Sequence, residues 1–327
     1  MMLGRDPEHN GERARAKSVS TEVAIAIVNW NTRDLLAQCL VSVFGTASNT
    51  SLEVWAVDNA SSDGSATMVR ERFPQVHLIE NAENLGFARA NNQALHLAQG
   101  RYLLLLNSDT EVQPGALSCL ADALERYPEA GAVGPRMLNP DGTLQNSYGS
   151  LPSVLDEILG PYWLDFLNKP WGAIGRRYRR RELEDGDYKR VDRVSFACTL
   201  IRREALDQVG LLDERFALYS EDYDWFKRLR DAGWQVLFCP QAQVIHHWGA
   251  SSRQRSDWSL SQLYRSKRLY YAKHYGRGSA LLLQAGLIMR FGLKLLWAIG
   301  SYLLRRVAAT EQMRCQRRLI AEMLRPL

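Results

Sequence analysis

Four apolar runs, each stopping at a polar cluster, dominate the N-terminal third of the chain. Val23-Ala-Ile-Ala-Ile-Val28 is a continuous run rich in β-branched residues that ends at Asn29-Trp30-Asn31, and Leu52-Glu-Val-Trp-Ala-Val57 ends at Asp58-Asn59. Val76 to Ile79 leads into the stretch from Asn81 to Phe87, and Arg101-Tyr-Leu-Leu-Leu-Leu106 ends at Asn107-Ser108-Asp109. Between the runs, Leu35 to Phe44, the segment up to Phe73, and Ala88 to Ala98 have helical spacing. A strand with no polar alternation must be buried on both faces, so this order predicts an α/β fold: a mostly parallel central sheet with helices on both sides. In such sheets ligands bind beyond the carboxyl ends of the strands, which is where all four polar clusters fall. Asn, Asp and Ser also end strands and begin turns for purely structural reasons, and for any single cluster that alternative stands.

Composition narrows the class. With 327 residues, 46% hydrophobic and 24% charged, the chain is neither disordered, collagen-like nor a multi-span membrane protein. Five scattered Cys without a CxxC pair argue against a Cys-based zinc site and a disulfide scaffold, and for a reducing compartment. The net charge of +5 is uneven: residues 21–150 carry seven basic and fourteen acidic groups, whereas residues 259–327 carry thirteen basic and two acidic. A basic tail on an acidic body is not the pattern of a nucleic-acid binder. Residues 1–20 are polar and lack an apolar core, and read as a disordered leader.

Residues 140–193 read as irregular, with Pro152, Pro161 and Pro170 among aromatic residues. The basic run Arg176 to Arg181, followed by Glu182, Glu184, Asp185 and Asp187, reads either as a contact for acceptor phosphates or as a solvated mixed-charge loop. Ser220-Glu221-Asp222 opens a helix running to about Ala232, with Ser220 as a plausible side-chain N-cap. Acidic residues in a first turn complement the helix dipole, which alone accounts for Glu221, Asp222 and Asp224. Asp224 is placed to pair along the helix with Lys227 or Arg228.

Taken in order, the first strand with Asn29-Trp30-Asn31, Val57-Asp58-Asn59-Ala-Ser-Ser-Asp63-Gly64-Ser65, Asn84-Leu-Gly86-Phe87, Asn107-Ser108-Asp109, Ser220-Glu221-Asp222-Tyr-Asp224 and His246-His-Trp-Gly249-Ala-Ser251 resemble family 2 glycosyltransferases of the GT-A (nucleotide-diphospho-sugar transferase) fold. The bacterial rhamnosyltransferase-like members are the most similar, and the resemblance covers about Val23 to Gly276. It implies a nucleotide-sugar donor lined by Val28, Trp30, Asp58, Asn84, Gly86 and Asn107. A carboxylate at Asp58 accepts the N3–H of uracil or thymine and disfavours cytosine, which presents an acceptor there. Trp30 would stack on the base or pack into the core, and Gly86 either allows close backbone approach or is simply a loop glycine.

The same resemblance puts Asn107-Ser108-Asp109 at the DxD-like motif that binds Mg²⁺ or Mn²⁺ to neutralise the leaving diphosphate. Asp109 is its only carboxylate. A later histidine completes such sites, and His246 fits the HxxGxS spacing better than His247; the alternative is a packed strand-end histidine. Asp222 matches the general base of an inverting transfer, with Glu221 as the supporting acid.

Beyond Gly276 the resemblance fades. Ser279 to Leu304 is apolar but for Arg290 and Lys294, which share one helical stripe with Ser301 and Arg305, and Arg306, Arg314, Arg317 and Arg318 follow. Two central charges disfavour a spanning helix and suit an interfacial one on an anionic surface. A helical hairpin packed on the body, or a homodimer element, is the alternative. The expected organisation is therefore a leader (1–20), a catalytic domain (21–276) and a basic, membrane-associating helical tail (277–327), peripheral on the cytoplasmic face of the membrane. The implied reaction moves a sugar, with L-rhamnose from dTDP-rhamnose as the first candidate and UDP-sugars as the other donors, onto a lipid-linked or polysaccharide acceptor. Two rivals are a sugar-nucleotide nucleotidyltransferase, which lacks a Gly-rich phosphate loop here, and a non-catalytic glycan- or nucleotide-binding module.

Overall fold

The computed structural model describes residues 22–46, 51–159, 188–247, 256–303 and 309–324. The leader, the Arg176–Arg181 run, Gly249, Ser251, Arg305 and Arg306 lie outside the described residues. The N-terminal half runs β1 (Val23–Asn29), α1 (Arg33–Gly45), β2 (Leu52–Asp58), α2 (Ser65–Arg72), β3 (His77–Glu80), α3 (Phe87–Leu97) and β4 (Tyr102–Asn107). These four strands pair in parallel in the order β3-β2-β1-β4, as the apolar runs require. Val23, Ile25 and Ile27 face a core shared with α1 and α2, while Ala24 and Ala26 face a second core shared with α3. Both faces of β1 are thus dry, which is why its sequence shows no alternation.

The sheet then becomes mixed. β5 (Thr110–Val112), α4 (Ala116–Arg126) and β6 (Ala130–Leu138) follow, and the region expected to be irregular contains β7 (Tyr148–Gly149), α5 (Val154–Leu159), β8 (Lys189–Val191) and β9 (Arg193–Val194). Next come β10 (Cys198–Arg202), α6 (Arg203–Val209), α7 (Glu221–Asp231) and the long β11 (Gln235–His246). β10 inserts antiparallel between β4 and β6, and β11 runs parallel to β6 and antiparallel to β5. A register shift between Cys239 and Gln243 bends β11, so its first half pairs with β8 and its end with β5. That bend carries His246 back to the end of β4.

The C-terminal part is α8 (Ser256–Leu303), broken at Gly276 (φ 83°, ψ 166°), and α9 (Ala309–Met323). Phe216, Tyr270, Tyr271, Leu283, Leu287 and Phe291 form a third core with α9. Gly286 lets this hairpin sit on α5, because a Cβ there would lie 2.4 Å from the Ile158 side chain. Arg290, expected on a polar stripe, instead donates to the carbonyl oxygens of Glu157 and Ile158 at 3.2 Å each, satisfying the end of α5. The opposite side of α8 is apolar and open: Leu281, Leu282, Met289, Leu293, Leu296 and Trp297 are each 60–67% exposed. By length and composition alone, this helix is long and apolar enough to cross a membrane.

Candidate active site

The site is built on the carboxyl ends of β1, β2 and β4, which the sheet order makes neighbours. A buried chain of hydrogen bonds joins them. Thr32 Oγ1 donates to Asn29 Oδ1 at 2.6 Å, so its 2.9 Å contact with Ser108 Oγ must be filled by the serine hydroxyl donating. Asn29 Nδ2 in turn donates to Asp58 Oδ1 and Ser61 Oγ, both at 3.2 Å. Asp58 Oδ2 accepts the Ser61 amide at 3.0 Å. Asp58 is only 5% exposed, and each of its oxygens keeps a second lone pair for a base N–H. Asn29, Thr32 and Ser61 therefore lock the turns after β1 and β2 together, with Asn31 Oδ1 accepting the Ser62 amide at 2.7 Å. Trp30 and Val28 are partly exposed at this rim, and Val28 lies in register with Asn107.

From Asp58 the rim continues through Asn59. Its Oδ1 accepts the Leu85 amide at 2.9 Å and its Nδ2 donates to Asn84 Oδ1 at 3.0 Å, which pins the loop before α3. Gly86 has φ 82°, and a Cβ there would meet Ala217 O at 2.7 Å. The next amide, Phe87 N, donates to that same oxygen at 3.0 Å. The close approach Gly86 permits here is to the loop leading into α7.

Two left-handed residues, Tyr219 (φ 66°) and Ser220 (φ 64°), deliver the chain into α7. Ser220 makes no side-chain cap bond, contrary to expectation, because a side-chain cap needs extended backbone that this residue does not adopt. Asp222 Oδ1 accepts the Tyr223 amide at 2.8 Å instead. Asn31 (φ 52°) and Ala60 (φ 64°) complete the set, so every non-glycine residue with positive φ among the described residues lies on this rim. Such backbone costs of order 1–3 kcal/mol per residue and is held only where surrounding contacts dictate it.

Electrostatics divide the three acids of α7. Burial, and then the Asp222 charge, push the Glu221 carboxyl up to about 8, and its Oε2 has no hydrogen-bond partner. Asp222 is also raised by burial, a shift opposed by the Arg193 guanidinium, which lies 4.6 Å from the Tyr223 ring centre. Asp224 is fully buried and held below the ordinary range: burial alone would raise it, but bonds from His274 Nε2 (2.7 Å), Lys273 and Arg228 prevail. Of the two helical partners expected for Asp224, Arg228 takes the role at 3.0 Å, while Lys227 binds Asp231. Asp224 therefore anchors α8 to α7 and does not face the crevice as an open carboxylate.

The rim closes at β5 and β11. Arg193 and Val194 of β9 pair with β7, and Gln145, just before β7, reaches His246. His246 pairs with Thr110 in register, which brings its Nε2 to 3.2 Å from Asp109 Oδ1. The strand pleat sends His247 to the other side, where its Nε2 lies 2.7 Å from Glu111 Oε1. His246 Nε2 is buried and has no hydrogen-bond partner. Neighbouring vertices of an octahedron with ligands at ~2.1 Å lie about 3 Å apart, so the pair fits two adjacent positions around a divalent ion. Among the described residues no third His, Cys, Asp or Glu joins it. Two protein ligands with the remainder from substrate phosphates and water is how Mg²⁺ is usually held in phosphate chemistry. Thr32, Gln145 and Arg193 had no motif signal, and Ser61 lay inside a quoted motif with no role assigned; only their spatial neighbours reveal what they do.

A mixed sheet of this order, with acids gathered at the carboxyl ends of β2 and β4 and at the head of α7, is the GT-A glycosyltransferase fold. Residues 24–210 match the model of glycosyl transferase family 2. The N-acetylglucosaminyl-diphospho-decaprenol L-rhamnosyltransferase of Mycobacterium tuberculosis is 32% identical over 269 residues, covering 74% of this chain and 85% of that protein. The O-antigen biosynthesis protein RfbC of Myxococcus xanthus is 30% identical over 71% of this chain, which spans 18% of that longer protein. Among solved structures, GalNAc-T7 with UDP, GalNAc and Mn²⁺ superposes with a TM-score of 0.56 at 17% identity, over 78% of this chain and 50% of that one, a likeness of fold. The chain belongs to glycosyl transferase family 2 and is a rhamnosyltransferase-like glycosyltransferase.

Proposed function

We propose that this enzyme transfers L-rhamnose from dTDP-rhamnose, with inversion, to a lipid-linked or polysaccharide acceptor in cell-envelope glycan synthesis. The observation that carries the reading is the pairing of Asp109 with His246 next to Ser108, whose hydroxyl starts the hydrogen-bonded line through Thr32 and Asn29 to Asp58. The similarity to the mycobacterial rhamnosyltransferase supports the sugar and the lipid-linked acceptor. Asp58 accepts the pyrimidine N3–H, with Val28, Trp30, Asn84, Gly86 and Asn107 around the nucleotide. Asp109 and His246 hold Mg²⁺ or Mn²⁺, which when bound offsets charge on the leaving diphosphate. Asp222 removes the acceptor hydroxyl proton as that oxygen bonds to the anomeric carbon, and the nucleoside diphosphate departs from the opposite face. Glu221, its carboxyl raised by burial and by the Asp222 charge, is shifted towards its neutral form and so adds less competing negative charge beside it. The test is turnover of dTDP-rhamnose, UDP-sugars and CDP-sugars by the purified protein with Mn²⁺: dTDP-rhamnose is expected to be used best and CDP-sugars not at all. Preference for another donor would overturn the sugar assignment.

Residues 21–276 form the catalytic body in this proposal, and residues 277–327 a tail that sets it on the cytoplasmic face of the membrane. The exposed apolar side of α8 supports it, together with thirteen basic against two acidic groups in residues 259–327. Each Lys or Arg near an anionic leaflet contributes ~1 kcal/mol and is screened by salt. Cutting the chain at Gly276 would remove much of the third core, so charge insertion is the cleaner probe. Full-length protein is expected to co-sediment with vesicles containing phosphatidylglycerol at low salt and to release partly at high salt, while Leu293→Glu with Trp297→Glu stays in the supernatant. Wild-type protein left in the supernatant at low salt would make the open face of α8 a dimer or packing element.

A further inference from the structure

Gln145 sits between β6 and β7, in a segment with no sequence motif, yet its amide is held in one orientation. Its Nε2 lies 2.6 Å from the carbonyl oxygen of His246 and 2.8 Å from Asn139 Oδ1. A carbonyl oxygen only accepts, so the group facing it must be the NH₂. The other amide atom, Oε1, then faces His246 Nδ1 at 3.0 Å, and since it can only accept, Nδ1 must carry the hydrogen. In a neutral imidazole the second nitrogen is left with a lone pair. That nitrogen, Nε2, is buried without a hydrogen-bond partner, 3.2 Å from the Asp109 carboxylate. With His246 neutral, two electron-pair donors face one another there, an arrangement that a divalent ion held between them, or a second ring proton, relieves.

The support under Gln145 is rigid. Its backbone amide donates to Met137 O at 2.9 Å, and Asn139 closes a turn, its amide donating to Thr143 O at 2.7 Å and its carbonyl accepting the Gly142 amide at 2.9 Å. Asn139 Nδ2 also donates to Thr143 Oγ1 at 2.8 Å, which leaves its Oδ1 turned to Gln145. The amide cannot flip without placing its NH₂ against Nδ1–H and its oxygen against two acceptors.

We infer that Gln145 is a positioning residue that fixes the tautomer and ring orientation of His246, presenting Nε2 as a ligand for the divalent ion bound with Asp109. The inference rests on the metal reading above. Outer partners of this kind, which accept the second ring N–H of a ligating histidine, typically change metal affinity by ~10–100-fold when removed. The rival is a doubly protonated His246 paired with Asp109, in which case Gln145 serves only as a hydrogen-bond partner to a cation.

The experiment is titration of full-length protein with Mn²⁺ in the presence of saturating dTDP, read by the electron paramagnetic resonance of free Mn²⁺. Gln145→Leu is expected to weaken Mn²⁺ binding by ~10–100-fold. Gln145→Glu still offers an acceptor to Nδ1–H, but its second oxygen faces the His246 carbonyl and Asn139 Oδ1, so its affinity should fall between those of wild type and Gln145→Leu. Calorimetric binding of dTDP in EDTA, which reports the Asp58 end, should not differ among the three proteins. ¹⁵N spectra of the wild-type histidines should show His246 with hydrogen on Nδ1 only, and its Nε2 resonance should move when Mg²⁺ is added with dTDP. This last readout needs no variant to fold. Wild-type Mn²⁺ affinity in Gln145→Leu, or a doubly protonated His246 that Mg²⁺ does not alter, would each overturn the inference. If wild-type protein binds no Mn²⁺ with dTDP, it is the metal reading that fails, a distinct outcome.

Discussion

Asp222→Asn is expected to lower turnover by ~10²–10⁴-fold while leaving donor binding intact, the range lost when a positioned general base is removed. The substitution isolates proton transfer because asparagine keeps the size of the side chain and an oxygen for the Tyr223 amide, now 2.8 Å from Asp222 Oδ1. The pH dependence has a definite sign. Burial raises the Asp222 carboxyl above its ordinary range, so the rate should fall as pH drops through that raised value, at a higher pH than for an exposed aspartate. Calorimetry with dTDP and turnover by the same preparation give the two readouts. Near-normal turnover would remove Asp222 from the base role. Suspicion would then move to Glu221 alone, since Asp224 is fully buried and committed to Arg228, Lys273 and His274.

Asp109→Ala should abolish metal-stimulated turnover, a loss of more than ~10²-fold, because charge stabilisation of the leaving group by a bound ion contributes several kcal/mol. The fold should tolerate the change. It is the backbone oxygen of Asp109 that accepts the His247 amide at 2.9 Å, so the junction of β5 with β11 does not depend on the carboxylate. His246→Ala is expected to weaken the ion less severely and to spare binding of the base at Asp58, since the carboxylate supplies the negative charge. The measurement is rate against Mn²⁺ concentration for the three proteins. Full wild-type activity in excess EDTA would rule out the metal and leave cationic side chains to stabilise the diphosphate.

The first half of the fold was legible because its physics is local. β1, β2 and β4 are buried on both faces, so they appear as apolar runs, and the helices between them repeat at helical spacing. The boundaries agree within a residue or two: the third strand, expected from Val76 to Ile79, spans His77–Glu80. The second half was not legible in the same way. β5 has three residues and β9 has two, too few to show a period, and each exists only through a partner far along the chain. The bend in β11 depends on a register shift against β6, which no pattern within β11 announces.

The sequence by itself determined the residue types at the site: carboxylates at Asp58, Asp109, Glu221 and Asp222, a histidine pair at 246 and 247, and glycine at position 86. It also determined that the four polar clusters would stand at one end of a parallel sheet, since parallel strands carry their carboxyl ends to the same side. Only the tertiary structure decided which of these groups meet. The pleat of β11 turned His246 to Asp109 and His247 to Glu111. The packing of α8 on α7 buried Asp224 among Lys273 and His274 while leaving Asp222 partly exposed. The order β2-β1-β4 put Ser108, Thr32, Asn29 and Asp58 in one line of hydrogen bonds across separations of up to 76 residues. The reason is physical: a side chain's identity is local, but the direction of a hydrogen bond is set by register and by the neighbour on the next strand, and those follow from sheet order.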